Sequence, residues 1–192
     1  MRTLRKIAVA GLVACTVLVI FAGRAAADFV VREVEARIID GTFHINTMLD
    51  MTLNAKPEEA LNKGIPLDVV IDIALVEHRR LLWDRVVTDL TLRRHVQYHA
   101  LSGQYLVSGG DLGEEDFVRF STSQAALAYV GAIHNLELPL ASKKNIDSRL
   151  DYSLRLRVLL DIGSLPTPLR PLAYATPSWH HNSGWTTWPV IH

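Results

Sequence analysis

Between Leu90 and Ala100, the apolar side chains all fall at even positions. Leu90, Leu92, Val96, Tyr98 and Ala100 share one parity, and Thr91, Arg93, His95, Gln97 and His99 share the other. A helix repeats every 3.6 residues, so a two-residue period demands extended backbone with one dry face and one wet face. No other feature constrains the fold so tightly, because the same period returns along most of the chain.

It also disposes of a metal site. "HVQYH" (His95 to His99) has the histidine spacing of a zinc hydrolase, but that motif needs a helix and a glutamate where Val96 stands. Four residues of strand span about 13 Å at ~3.3 Å each. Zinc–nitrogen bonds are only about 2 Å long. The two imidazoles therefore diverge on a wet sheet face.

The alternation extends in both directions. "VVREVEARII" puts Val34, Ala36 and Ile38 on one face, and "TFHINTMLDMTL" puts Phe43, Ile45, Leu49, Met51 and Leu53 on one face, with His44 on the polar side. Asp40-Gly41 between them is a turn dipeptide, so the pair is predicted to be a hairpin. "LDVVIDIALVE" is apolar on both faces except at Asp68 and Asp72, which predicts a central strand. "HRRL" (His78 to Leu81) would be the following hairpin tip. A Ser102-Gly103 turn leads into a strand at Gln104 to Ser108, and "FVRF" is a brief strand. "SRLDYSLRLRVLLD" turns Leu150, Tyr152, Leu154, Leu156, Val158 and Leu160 inward, with Arg155 and Arg157 outward.

Helical pattern is sparse. "KPEEALNKG" predicts a helix of barely two turns, starting at Pro57 and capped by Gly64. "STSQAALAYVGAIHN" predicts one substantial helix, with Ser121 and Gln124 as a capping box, an apolar stripe through Ile133, and Asn135 ending it in a left-handed turn. His134 would lie in its last turn. "LELPL" would be an edge strand because of Pro139. The expectation is an α+β fold, mostly antiparallel, with about eight strands in a curved sheet or sandwich and one substantial helix over a face.

The N-terminus has a different chemistry. "MRTLRK", the 16 apolar residues "IAVAGLVACTVLVIFA" and the small triplet Ala25-Ala26-Ala27 read as a secretory signal peptide cleaved after Ala27. The run is shorter than the ~20 residues a spanning helix needs. Lipid attachment at Cys15 and an uncleaved anchor are the competing readings. Residues 28–192 then form a single exported, periplasmic domain of 165 residues with 16 basic and 20 acidic side chains, net −4. The only cysteine leaves with the signal, so stability must come from packing. No basic stripe interleaved with aromatics supports nucleic-acid binding. The mature domain is not expected to span a membrane.

The chemistry-bearing residue types are scattered. Asp68 and Asp72 lie about 13 Å apart along a strand, beyond the reach of a catalytic carboxylate pair. Ser102, beside His99 and Tyr105, lacks the strained elbow of an activated serine. The acidic "LGEEDF" lacks calcium-loop spacing. "WHH" (Trp179, His180, His181), with His192, has no fixed third ligand. No cofactor is expected, and a hydrolase would need folding to gather a serine, a histidine and an aspartate. Two features remain for recognition: Arg79, Arg80 and Trp83 at a hairpin tip, and a Pro-rich tail from about residue 163 with Trp179, Trp185 and Trp188. Its prolines favour polyproline-like backbone. The three indoles either pack back over the sheet edge or form a contact surface.

At "EALNKGIPL", "RRLLWD", "YHALSGQY", "LDIGSLPTPLR" and "SGWTTW" the chain resembles a family of exported proteobacterial proteins, domain of unknown function 4390. The resemblance runs from about Phe29 to Trp188. It implies an envelope location, a single domain and a link to envelope signalling, with no activity, cofactor or partner. The functional expectation is a non-catalytic periplasmic binding or adaptor domain that engages another envelope protein. The alternative is a carrier of a lipid or other apolar ligand inside the curved sheet, lined by Phe43, Ile71, Ile73 and Leu156.

Overall fold

The computed structural model describes residues 29–39, 42–79, 83–110, 112, 116–138 and 150–191. The leader with Cys15, the Asp40-Gly41 turn, Arg80, Pro139 and His192 fall outside the described residues.

Strands β1 (Phe29–Ile39) and β2 (Thr42–Met51) pair antiparallel, as their alternation predicts. The register shifts between Val31 and Glu33. This bulge changes the inward parity from odd (Phe29, Val31) to even (Val34, Ala36), so both halves of β1 turn apolar side chains to one side. The other edge of β2 carries β7 (Ala132–Glu137), giving a three-stranded sheet in the order β1-β2-β7.

The second sheet has six strands. Its order is β6 (Phe117–Phe120), β5 (Gln104–Gly109), β4 (Arg85–His99), β3 (Leu67–Glu77), β8 (Tyr152–Leu160) and β9 (Thr186–Pro189), each pair antiparallel. The doubly apolar β3 is central, between β4 and β8. The inner faces of the two sheets meet through Phe29, Phe43 and Ile45 on one side and Leu67, Ile71, Ile73, Leu154 and Leu156 on the other, each at most 1 % exposed. Burying one such side chain contributes about 1.5–3 kcal/mol. The period-two pattern thus produces an antiparallel α+β sandwich.

The helices depart from expectation. There are three among the described residues: α1 (Ala55–Asn62), α2 (Ser123–Gly131) and α3 (Arg170–Ala175). Helix α1 starts two residues before Pro57, which occupies the first turn, where a missing N–H costs nothing. Gly64 follows with φ of +84°, the left-handed geometry glycine accepts.

Helix α2 is capped by Thr122, whose Oγ1 accepts from the Ala125 amide at 3.2 Å, rather than by Ser121. It stops at Gly131, four residues early, because Ala132 turns extended and pairs with Met48. Asn135 is left-handed (φ 49°) as expected, but it lies inside β7, where the register against β2 slips. The slip is held by the Asn46 Oδ1, which accepts from the Asn135 amide at 2.7 Å. His134 is consequently an exposed strand residue, with no helix dipole to meet.

The tail also departs from polyproline geometry: it forms a 3-10 turn at Ile162–Ser164, helix α3, a second 3-10 turn at Pro177–Trp179 and strand β9. Leu150 precedes β8 and is 38 % exposed, so it does not join the inward row.

Candidate functional site

Of the residues that the sequence marks out for chemistry or recognition, all but Arg80, His192 and part of the acidic loop fall among the described residues. His95 and His99 both lie on β4, as the alternation requires, and each has its own partner. His95 Nδ1 is 2.5 Å from Asp68 Oδ1, and His99 Nδ1 is 2.9 Å from Ser102 Oγ. Among the described residues no three His, Cys, Asp or Glu side chains converge to hold a metal. His181 is buried at 2 % exposure against the Phe29 ring, 5.0 Å between centroids, while His180 is exposed.

The aspartates on β3 serve the sheet. Asp68 joins His95 and Arg93, and Arg93 also reaches Asp161 at 2.5 Å. The hydrogen bond to His95, then the charge and hydrogen bond of Arg93, hold the Asp68 carboxyl below its ordinary range despite partial burial. Asp72 accepts from Arg157 at 2.5 Å and from Thr91 at 2.9 Å. Tyr98 and Tyr105 pack across their hairpin at 5.0 Å, and the Tyr105 hydroxyl donates to Asn62 Oδ1.

The tryptophans divide. Trp179 is buried at 5 % exposure and Trp188 packs partly against the core. Trp185 lies under two guanidinium groups, Arg155 at 5.2 Å and Arg157 at 4.8 Å from its ring centre. The tail therefore folds back over β8 as β9. At the β3–β4 tip, Arg79 is bound to the buried Glu77, whose other oxygen accepts from Arg85 at 2.5 Å. Among the described residues of this tip, Trp83 stands in solvent, 94 % exposed, while Arg80 lies outside them.

Three placements were not legible in the sequence. The first is an open cleft of about 660 Å³ between the C-terminal half of β2, α1 and the first turns of α2. Met48, Leu49, Met51, Leu53 and Leu127 give it an apolar floor. Arg32 and Asp50, paired at 2.6 Å, stand on its rim with Glu58 and Gln124. Met48 is 56 % exposed there. Phe43, Ile71, Ile73 and Leu156 do not line it; they are packed shut inside the sandwich at 1 % exposure or less.

The second is Arg94, buried at 2 % exposure on the apolar side of β4. Its Nη1 donates to three carbonyls at the end of α2.

The third is a chain of three polar side chains at the other end of the sandwich. His78, just after β3, has Nε2 2.8 Å from Ser153 Oγ on β8 and Nδ1 3.1 Å from Asp84 Oδ1 just before β4. The β3–β8 register sets Ser153 opposite Val76, which brings it under His78.

Among the described residues no helix is long and apolar enough to cross a membrane. Neither the curated proteins nor the solved structures contain a match to the chain. Residues 26–189, nearly the whole sequence, match the family described as a domain of unknown function (DUF4390), and the chain belongs to that family.

Proposed function

We propose that the protein is an exported binding domain of the cell envelope, and that it engages a partner protein through the cleft between β2, α1 and α2. The observation that carries this reading is the cleft's composition: an apolar floor in an open depression, with charged and amide groups along its edge. Its volume lies in the range of small-ligand pockets, about 300–1,000 Å³. A water-exposed methionine over such a floor is costly unless something covers it, and the flexible thioether adapts to varied apolar surfaces. The cleft is open along its length, which suits side chains projecting from a protein segment. Arg32, Asp50 and Gln124 stand where they could meet that segment's backbone or charges. Trp83 offers a second contact at the opposite tip. Export rests on the leader-like residues through Ala27 and the single cysteine within them.

A photo-crosslinking amino acid at Gln124 or Ala128, both exposed on the cleft, tests the reading in intact cells. The expected result is one discrete adduct from either position, lost when Met48→Asp is added. No adduct from either position would refute it. The volume of the cleft favours a second reading, an apolar small molecule in the same place. Native mass spectrometry of the protein released from the periplasm would then show a bound mass that Met48→Asp removes.

A further inference from the structure

The chain of hydrogen bonds from Ser153 through His78 to Asp84 has the atom order of a nucleophile relay. The serine oxygen faces Nε2, 2.8 Å away, and the carboxylate faces Nδ1, 3.1 Å away. With its proton on Nδ1, the imidazole donates to Asp84 and accepts from Ser153, so the carboxylate fixes the tautomer that can act as a base. Three separate elements supply the groups, and all three lie on the outer face of the six-stranded sheet.

The surroundings define what could bind there. Across the sheet, Ser153 is flanked by Val76 on β3 and Pro189 on β9, and Val86 follows beyond Val76. Val76 is itself buried at 2 % exposure, so the apolar surface open near the hydroxyl is that of Pro189 and of Val86, 55 % exposed. Along β8, the next outward side chain is Arg155, about 7 Å away by strand rise. Its guanidinium rests on Trp185, 5.2 Å from the ring centre. Trp185 immediately precedes the β9 residue paired with Leu156, so this charge is drawn along the sheet away from Ser153.

We infer that Ser153, His78 and Asp84 form a hydrolytic site for carboxylic esters with a short apolar acyl group. The acyl group lies on the exposed Val86 and Pro189. Ser153 Oγ bonds to the carbonyl carbon while its proton passes to His78 Nε2. The ester C–O bond breaks, and the alcohol leaves with that proton. Water then adds to the acyl-serine, delivers a proton through His78, and releases the carboxylic acid and the free serine. Ser153 is 4 % exposed and belongs to a regular strand with no strained elbow, so turnover is slow and covalent capture is the sensitive readout. This activity goes beyond the binding role of the cleft, which lies at the far end of β2.

The test treats the purified full chain with a fluorophosphonate probe, maps the adduct by mass spectrometry, and follows hydrolysis of p-nitrophenyl butyrate. The expected adduct is on Ser153 and not on Ser102, the other serine that faces a histidine. Ser153→Ala abolishes hydrolysis. His78→Gln and Asp84→Asn each lower labelling and hydrolysis by about tenfold or more. Asp84 is 55 % exposed, so its amide variant reports even if Ser153→Ala fails to fold. Ser102→Ala leaves both rates unchanged. The inference is overturned by the absence of a Ser153 adduct, by hydrolysis that survives Ser153→Ala, or by labelling that His78→Gln does not slow.

Discussion

Arg94 of β4 ties off the end of helix α2 by donating from one nitrogen, Nη1, to the carbonyls of Tyr129, Val130 and Ala132 at 2.8, 2.9 and 3.0 Å. The last carbonyls of a helix have no partner within it and carry its negative pole. A buried guanidinium there satisfies three acceptors and complements the dipole. The Tyr129 ring adds a face at 5.6 Å. Gly110 makes room: a side chain at that position would come within 2.8 Å of Arg94 Nε.

Arg94→Met is expected to destabilise the fold by about 3 kcal/mol, because the buried Val130 carbonyl and the part-buried Tyr129 and Ala132 carbonyls lose the guanidinium's hydrogen bonds. Arg94→Lys should recover part of that, since an ammonium restores charge without the fork. Urea denaturation of the two variants beside the parent measures both. Equal stability of Arg94→Met and the parent would remove Arg94 from this role.

Acid should loosen the fold through two carboxylates. Hydrogen bonds from Arg79 and then Arg85 hold Glu77 below its ordinary value of 4.5, and His95 and Arg93 hold Asp68 below 3.8. A group whose folded pKa is depressed contributes stability above its unfolded pKa and loses it as pH falls through the folded value. Melting temperature should therefore stay level down to about pH 5 and fall from there toward pH 2. Glu77→Gln and Asp68→Asn start lower at neutral pH and show a shallower fall. Parallel curves for parent and variants would contradict the assignment.

The strands could be read from the chain because alternation is a local property, and each inward face needs only its own two-residue period. What the sequence concealed depends on register between distant segments. Arg94 shares the apolar parity of Leu92 and Val96, and its partners at the end of α2 and the start of β7 lie 35 to 38 residues away. Helix α2 reads too long because Ile133 continues its apolar stripe, whereas pairing with β2 draws Ala132 onward as strand. Ser153 meets His78 across 75 residues, through a pairing that spacing along the chain does not encode. For Trp179 the sequence favours packing over a contact surface, because a free apolar tail would invite aggregation, but it does not say against what the indole packs.

Trp83 and Trp179 should separate cleanly in mutation. Trp179, 5 % exposed, loses a large buried surface on Trp179→Ala, and about 3–5 kcal/mol of stability should go with it. Trp83, 94 % exposed, should change stability by no more than about 0.5 kcal/mol on Trp83→Ala. Thermal melts decide the comparison, and acrylamide should quench the tryptophan emission of the parent more than that of Trp83→Ala. Destabilisation by Trp83→Ala comparable to that of Trp179→Ala would mean the tip is packed against something in solution.

Gly131 decides how closely α2 approaches β2, and with it the shape of the cleft. A methyl group built there would collide with the Leu49 carbonyl oxygen and approach Met51 Cε at 3.1 Å. Leu49 and Met51 both belong to the cleft floor. The obstruction is backbone, which cannot swing aside, so Gly131→Ala should cost about 2 kcal/mol or more. Gly184 is the control: its φ of +68° disfavours a side chain, but nothing lies within 4 Å of the added methyl. Gly184→Ala should cost about 1 kcal/mol, from backbone strain alone. Denaturant midpoints measure the difference, and crosslinking from Gln124 should weaken in Gly131→Ala but not in Gly184→Ala. If Gly131→Ala proves the milder of the two, the helix does not seat against Leu49 as described, and the cleft loses the contact that gives it form.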